Sequence, residues 1–156
     1  WAFDASRNGF HLPTEAQWER AAAWDGVSEI HYRYGSGSDS ISASDVNYAD
    51  NNPLSLSSTP YTAPVGQFSA GVSPIGCLDM SGNAWEWCTD WYDSEYYASS
   101  PATDPQGPAS GAYRVIRGGS WHAQADACRA AFRAGYTPGI AFDSFGFRIA
   151  RQVPAG

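Results

Sequence analysis

Residues 76–88 read Gly-Cys-Leu-Asp-Met-Ser-Gly-Asn-Ala-Trp-Glu-Trp-Cys, and this stretch decides how the chain folds. Two carboxylates, Asp79 and Glu86, lie on either side of the turn-forming residues 81–83. If residues 85–87 are extended, strand alternation places Trp85 and Trp87 on one face and the Glu86 carboxylate on the other. The stretch therefore predicts a buried wall beside an oxygen-rich site.

Such a site suits a hard cation. Calcium takes six to eight oxygen ligands, from carboxylates and from backbone carbonyls that a glycine-containing bend turns inward. Asp79 and Glu86, with the carbonyl groups of Gly82 and Ala84, form a set of this kind. An acidic turn that holds no ion is the alternative, because the residues of this bend favour turns by themselves.

The composition indicates one compact domain. The chain has 156 residues, including seven Trp, nine Tyr and seven Phe, and aromatic side chains supply much of the burial energy of a small core. Its net charge is -7 and all nine cationic side chains are Arg, which argues against nucleic-acid binding. No apolar run approaches the roughly 20 residues of a membrane span. The absence of Lys and the Tyr, Trp, Ser and Gly content favour an extracellular or periplasmic location.

Residues 12–23 are predicted to form the one clear helix. Thr14 as N-cap with Gln17 three residues later is a capping box. An apolar stripe at helical spacing would pack on a sheet; it consists of Trp18, Ala21 and Ala22.

Two long segments lack any period. Residues 35–64 are rich in Ser, Asn, Asp, Gly and Pro, and long structureless segments of this kind are either functional or held by something such as an ion. Asn47, Asp50 and Asn51 offer side-chain oxygens for that purpose, although a solvated loop is equally consistent. Residues 94–112 are predicted to be a second surface loop.

The last third of the chain predicts short strands between glycine turns. Tyr113 and Val115 begin a strand that ends at residues 118–119, a glycine pair that marks a close approach of the backbone. Alternation predicts half-buried strands at residues 128–133 and 145–150. The fold class is therefore α+β, with short antiparallel strands, one clear helix and much loop.

Four blocks of sequence resemble the signature blocks of the formylglycine-generating enzyme, or sulfatase-modifying factor, superfamily. They are residues 11–19, 76–87, 114–121 and 146–148. The resemblance implies an irregular C-type-lectin-like fold and a single domain over residues 1–156. Family members carry a substantial part of the domain before the block at Leu12, so we expect an N-terminal part to be missing here, or to be completed by a partner segment.

The resemblance also implies structural calcium. The matching positions of one site are Asp79, Gly82, Ala84 and Glu86, which agrees with the ligand chemistry of the turn. A second family site maps onto Asn47 and Tyr48, but the region expected to supply its carboxylate, residues 54–59, contains no Asp or Glu.

Catalytic members of the family hold Cu(I) between two thiolates, and a linear two-thiolate site suits this soft ion. The matching positions here are Ala123 and Cys128, and Gln124 stands where catalytic members often have His. With the first thiol missing, we expect no copper and no oxidase chemistry. Cys88 is then the expected disulfide partner of Cys128, with three reduced, packed cysteines as the alternative. We find no ligand spacing among the histidines and no base or acid placed around Ser120.

The favoured function is a non-catalytic, calcium-stabilised domain that binds a protein or glycan ligand, or associates with itself. Related domains serve as the variable proteins of diversity-generating retroelements, which implies that residues 122–145 are the displayed segment. Candidate ligand-binding residues are His122, Gln124, Asp126, Tyr136, Ile140, Phe142 and Asp143. In the alternative interpretation Ile140 and Phe142 close the core. The competing functions are a structural subunit of an extracellular assembly, completed by a partner strand, and a divergent copper-dependent oxidase.

Overall fold

The computed structural model describes residues 9–151. Short strands and irregular chain dominate this range. In chain order the elements are β1 (Phe10–His11), α1 (Glu15–Ala23), β2 (Trp24–Asp25), β3 (Ile30–His31), β4 (Trp85–Trp91), a 3₁₀ turn (Tyr96–Ala98), β5 (Arg114–Arg117), a second 3₁₀ turn (Ala125–Cys128), β6 (Ala134–Tyr136), β7 (Phe145–Gly146) and β8 (Ala150–Arg151). The predicted α+β class is confirmed. No helix in residues 9–151 is long and apolar enough to cross a membrane.

Helix α1 begins at the predicted cap. The Gln17 N–H donates to Thr14 Oγ1 (3.2 Å) and the Thr14 N–H donates to Gln17 Oε1 (3.0 Å), which is the reciprocal bonding of a capping box. Trp18 and Ala22 are fully buried. They share one face of the helix, and α1 packs through this side on β4 and β5.

The main sheet has four strands in the order β6-β5-β4-β7. Strand β5 is antiparallel to both β4 and β6, whereas β7 runs parallel to β4. Residues 85–87 are extended, which is the condition on which the alternation of their side chains depended, and Glu86 is buried between two half-buried tryptophans. The other strands form two-stranded pairs, β1 with β8 and β2 with β3.

Glycines allow the turns to pack closely at two points. Gly82 has φ +72°, and a Cβ there would lie 2.2 Å from the carbonyl oxygen of Asn47. A Cβ on Gly119 would lie 2.6 Å from Cys128 Sγ. The close approach predicted at residues 118–119 is therefore confirmed, since no larger residue fits at Gly119 without displacing the thiol.

The loop of residues 35–64 contains no helix or strand, as predicted, and backbone hydrogen bonds hold its middle. Asn83 N–H donates to Asn47 O (2.7 Å), and the Ala49 and Asp50 N–H groups donate to the carbonyls of Ala123 and Trp121 (both 2.9 Å). This loop is thereby joined to the turn of residues 81–83 and to the chain that follows β5.

Two strand predictions in the last third need correction. Residues 128–133 form no named strand, because the second 3₁₀ turn closes at Cys128 and only an isolated bridge joins Arg129 to Tyr34. Within residues 145–150, β7 ends at Gly146 and β8 begins at Ala150. Phe147 and Ile149, which lie between these strands, are 68% and 58% exposed. The alternation of apolar residues in this segment therefore does not correspond to a buried face.

Candidate functional site

The turn of residues 79–84 opens into a cavity of about 460 Å³. Asp79, Ala84 and Glu86 line it, together with Arg148. Asp79 and Asn83 have φ of +57° and +63°, and the Gly82 N–H donates to Gly118 O (2.7 Å). The left-handed turn and this bond bring three of the four predicted calcium positions to one cavity; Gly82 does not line it.

Glu86 has partners on both of its oxygens. Trp18 Nε1–H donates to Oε2 (2.6 Å), while Arg148 donates through Nε to Oε2 (2.5 Å) and through Nη2 to Oε1 (2.7 Å). Burial by itself would lower the pKa of Arg148, but the bonds to Glu86 outweigh burial and raise it. The carboxylate is thus neutralised by a guanidinium that sequence reasoning did not assign to it.

Asp79 is less fully bonded. Its Oδ2 accepts from the Gly66 N–H (2.6 Å), and its Oδ1 has no hydrogen-bond partner within residues 9–151. The described residues bring no group of three or more His, Cys, Asp or Glu side chains together at this turn or elsewhere. The free Asp79 Oδ1 and the carbonyls of the turn are oxygen ligands of the kind that a hard cation takes, whereas both oxygens of Glu86 are already bonded by Arg148 and Trp18.

The second predicted metal position is organised by amides. Asn47 Nδ2 donates to Tyr61 O (2.7 Å) and Asn83 Oδ1 (3.2 Å), and Asn83 Oδ1 also accepts from the Ala63 N–H (2.8 Å). Asn47 Oδ1 is buried without a partner, and Tyr48 is half-buried. Sequence reasoning missed Asn83 as the residue that joins the turn to the loop; its place in a tight bend between glycine and alanine was the available signal.

The positions that match the family's copper thiols lie together, but only one carries sulfur. Cys128 Sγ is 4.0 Å from the carbonyl oxygen of Ala123, and both residues are buried in one apolar cluster. Burial raises the pKa of the Cys128 thiol to about 12, so it stays protonated at neutral pH, and the thiolate is the form that binds metal.

The predicted disulfide between Cys88 and Cys128 is not formed. All three cysteines are free thiols. Cys88 packs with Trp18 and Met80 in the main core, whereas Cys128 belongs to the separate cluster around Tyr34 and Ala123. Burial also raises the pKa of Cys88 well above its ordinary value. The two sulfurs are thus protonated packing groups in different parts of the core.

Ser120 has a base nearby, contrary to the sequence prediction. Its Oγ lies 3.2 Å from His122 Nδ1, and the His122 ring contacts Trp121 at a centroid distance of 4.9 Å. Ser120 is fully buried, so no substrate can approach its hydroxyl. The pair orients the His122 ring and does not form an accessible nucleophile.

All seven candidate ligand-binding residues are exposed. They are His122, Gln124, Asp126, Tyr136, Ile140, Phe142 and Asp143. Asp126 forms ion pairs with Arg33 (3.4 Å) and Arg129 (3.7 Å), so its charge is partly matched.

Two of these residues, Tyr136 and Phe142, form a surface cluster with Phe145. The rings of Tyr136, Phe142 and Phe145 contact one another edge-on at centroid distances of 5.1–5.4 Å. Tyr136, Ile140 and Phe142 are 37%, 41% and 47% exposed. The alternative in which Ile140 and Phe142 close the core is therefore wrong. We call Tyr136, Ile140, Phe142 and Phe145 the aromatic face.

A cavity of about 470 Å³ adjoins the aromatic face. Its lining includes Trp87, Arg114, Ile140 and Phe147. Arg114 lies over the Trp91 ring at 3.7 Å, and Trp87 contacts Phe145 edge-on at 5.4 Å. The central strand β4 thus supports both the face and the cavity.

Comparison with known proteins identifies the family. The model of the sulfatase-modifying factor enzyme 1-like domain matches residues 1–153. The chain belongs to the sulfatase-modifying factor family. It is 40% identical to the serine/threonine-protein kinase pkn1 of Chlamydia caviae over 96% of this chain and 22% of that protein. It is 37% identical to the formylglycine-generating enzyme of Streptomyces coelicolor over 93% of this chain and 48% of the enzyme.

Solved structures agree with this assignment. The Treponema denticola variable protein 1 superposes with a TM-score of 0.78 at 34% identity, over 96% of this chain and 50% of that one. The predicted formylglycine-generating-enzyme-like, C-type-lectin-like fold is therefore confirmed. This sulfatase-modifying factor domain spans about half the length of the formylglycine-generating enzyme and less of the kinase.

Proposed function

We propose that this sulfatase-modifying factor domain is a non-catalytic binding module that presents residues 122–145 to a protein or glycan ligand. The observation that carries the proposal is the aromatic face beside an open cavity, in which Tyr136, Ile140 and Phe142 are exposed and Phe145 is half-buried. Aromatic and Arg side chains are enriched at protein interfaces and dominate their binding energy. The structural likeness to a protein named as variable supports a display role for this segment.

The copper positions support a role without oxidation. A Cu(I) site of the family type needs two thiolates, and Ala123 supplies none while Cys128 is buried and protonated. A divergent oxidase would have to use other residues. The cavity beside the aromatic face holds no cysteine or histidine.

The binding proposal is tested with a random peptide display library and a glycan array. We expect a selected ligand to bind Phe142→Ala at least about fivefold more weakly than wild type, since truncation of an interface anchor costs about 1 kcal/mol or more. Val27→Ala is the matched control, because Val27 is 95% exposed in the β2–β3 turn and outside the face. Equal affinity of wild type and Phe142→Ala for every ligand would contradict the proposal.

We also propose that calcium stabilises the turn at Asp79 and Glu86. The support is the open cavity, the unpartnered Asp79 Oδ1 and the oxygen character of the residues around it. Calcium bound by the folded state alone must raise the melting temperature as its concentration rises.

Thermal melting in calcium, in magnesium and in EDTA checks this proposal. Calcium should raise the melting temperature of wild type more than magnesium does, because magnesium gives up its water reluctantly. Asp79→Asn should lose the response, while Asp143→Asn, which alters an exposed carboxylate outside the cavity, should keep it. Identical melting in calcium and in EDTA would refute a calcium brace.

A further inference from the structure

We propose that the cleft beside the C-terminal end of α1 binds a carboxylate carried on a sugar ring, as in an acidic oligosaccharide. This site is separate from the aromatic face, so its success or failure is independent of the function proposed above. The cleft has a volume of about 470 Å³. We call it the α1 cleft. Its polar and aromatic lining residues are Glu19, Arg20, Trp24, His31, Tyr97 and Arg133.

The local fold builds this cleft from four elements. Arg20 lies in the last turn of α1, and the Trp24 N–H caps the helix by donating to Arg20 O. Strand β2 then pairs with β3 in a register that places His31 opposite Trp24, so these side chains are neighbours on one face. The Arg133 guanidinium lies over the Tyr97 ring at 4.7 Å, which holds the 3₁₀ turn at the cleft.

The carboxylate in the cleft wall is already engaged. Glu19 Oε2 accepts from Arg117 Nη2, and its Oε1 lies 3.4 Å from His31 Nε2. Behind the wall, Arg133 donates to both oxygens of the buried Glu15 (2.7 and 2.8 Å). The negative charges at this place are therefore matched by guanidinium groups before any ligand arrives.

The remaining polar groups in the wall are donors without partners. Within residues 9–151 no hydrogen bond satisfies the Arg20 guanidinium, Trp24 Nε1–H or the Tyr97 hydroxyl. Burial raises the pKa of Tyr97, so its hydroxyl keeps the proton that it donates. The cleft therefore offers free hydrogen-bond donors, and Glu19, the acidic residue in its lining, is already paired. Such a cleft selects a ligand that is rich in hydrogen-bond acceptors.

The ligand class follows from the donors and the rings together. An exposed Arg recognises a carboxylate through two parallel charge-assisted bonds. Trp24 supplies an aromatic surface with a polar edge, on which the C–H face of a pyranose packs while the sugar hydroxyls accept from the neighbouring donors. A cavity of this size holds one or two sugar rings. A uronic acid carries both features on one ring.

The test compares tetragalacturonate with its fully methyl-esterified counterpart by isothermal titration calorimetry. The two probes share their rings and differ in charge. We expect the acid to bind and the ester to bind at least about tenfold more weakly, because a hydrogen bond to a charged group is stronger than one to a neutral group.

Variants assign the binding to this cleft. Arg20→Gln should weaken binding of tetragalacturonate at least about tenfold, and Tyr97→Phe should weaken it by a smaller factor because a single neutral donor is lost. Arg151→Gln is the matched control, since Arg151 is exposed on β8 outside the cleft. Circular dichroism confirms that each variant is folded.

Three results would overturn the proposal. They are absence of tetragalacturonate binding up to the millimolar range, equal binding of the esterified probe, and equal loss in Arg20→Gln and Arg151→Gln. The last result would mean that the acid senses general positive charge and not the α1 cleft.

Discussion

Asp90 is a carboxylate held in the interior against the first turn of α1. Its Oδ2 accepts from the Glu15 N–H (2.8 Å) and from Thr89 Oγ1 (3.2 Å). A Cβ on Gly107 would lie 2.8 Å from Asp90 Cβ, so the second loop covers this group closely. Burial raises the pKa of Asp90 to about 6, and the charge of Glu15 adds to the rise.

This pKa has a defined effect on stability. The folded state holds the Asp90 proton more tightly than the unfolded chain, whose pKa is near 3.8. The resulting stabilisation is fully present below the unfolded pKa and is lost as the pH rises through about 6. At neutral pH the ionised, buried carboxylate therefore costs stability.

We predict that Asp90→Asn stabilises the protein at pH 7. The amide oxygen keeps the bond from the Glu15 N–H without a buried charge, and the gain is at most about 3 kcal/mol. The gain should shrink as the pH falls towards about 4, where Asp90 is protonated. Urea unfolding of both proteins across this pH range measures it, with the exposed Asp143→Asn as control. A gain that does not change with pH would contradict this origin.

The separate residues of the site were only partly predictable. Asp79 and Glu86 meet at one cavity as their spacing predicted. Arg148, which is 62 positions from Glu86, was visible only as part of a signature block, because no local pattern reports a contact between distant segments. The ion pairs of Arg117 and Arg133 with Glu15 escaped prediction for the same reason.

At the scale of elements, one ion pair joins three parts of the fold. Glu86 on β4 bonds Trp18 on α1 and Arg148, which lies between β7 and β8. Glu86 is 8% exposed, so its charge depends on these partners. Removal of one member of a buried pair leaves the other charge uncompensated, which is far more costly than loss of an exposed pair.

We predict that Arg148→Met lowers the free energy of unfolding by about 3–5 kcal/mol. The double variant Glu86→Gln, Arg148→Met should recover part of this loss, because it removes the buried charge as well. Arg33→Met is the control; its exposed pair with Asp126 should be worth less than about 1 kcal/mol. Urea unfolding provides the values. A small loss in Arg148→Met, similar to that of the control, would show that solvent reaches Glu86.

Secondary structure that depends on residues close in sequence was predicted well. Secondary structure that depends on contacts between distant segments was not. The capping box specifies the start of α1 within a few residues, and alternation indicates how the side chains of residues 85–87 are placed once that segment is extended. Residues 128–133 alternate equally well, yet the 3₁₀ turn at Ala125–Cys128 precedes them. Here the packing of Cys128 against Gly119 and the bridge from Arg129 to Tyr34 override the local pattern.

At the scale of the whole molecule, loops pinned to a small sheet determine what the chain presents. Residues 35–64 are fixed by backbone bonds to Asn83, Trp121 and Ala123. The same chain after β5 leads through the second 3₁₀ turn to the aromatic face. The family fold was predictable because its signature blocks form helix α1, the turn before β4, strand β5 and the chain after β7. The ligand was not predictable, because the displayed residues follow no structural pattern.

For the molecule as a whole, we propose above all that the domain binds its ligand without oxidising it. The most direct measurement is incubation of the folded protein with Cu(I), oxygen, a thiol reductant and a cysteine-containing sulfatase peptide, followed by mass spectrometry of the peptide. We predict that the peptide cysteine remains unconverted, because Ala123 and the protonated Cys128 do not provide a two-thiolate site. Formation of formylglycine in the peptide by the wild-type chain would contradict the account.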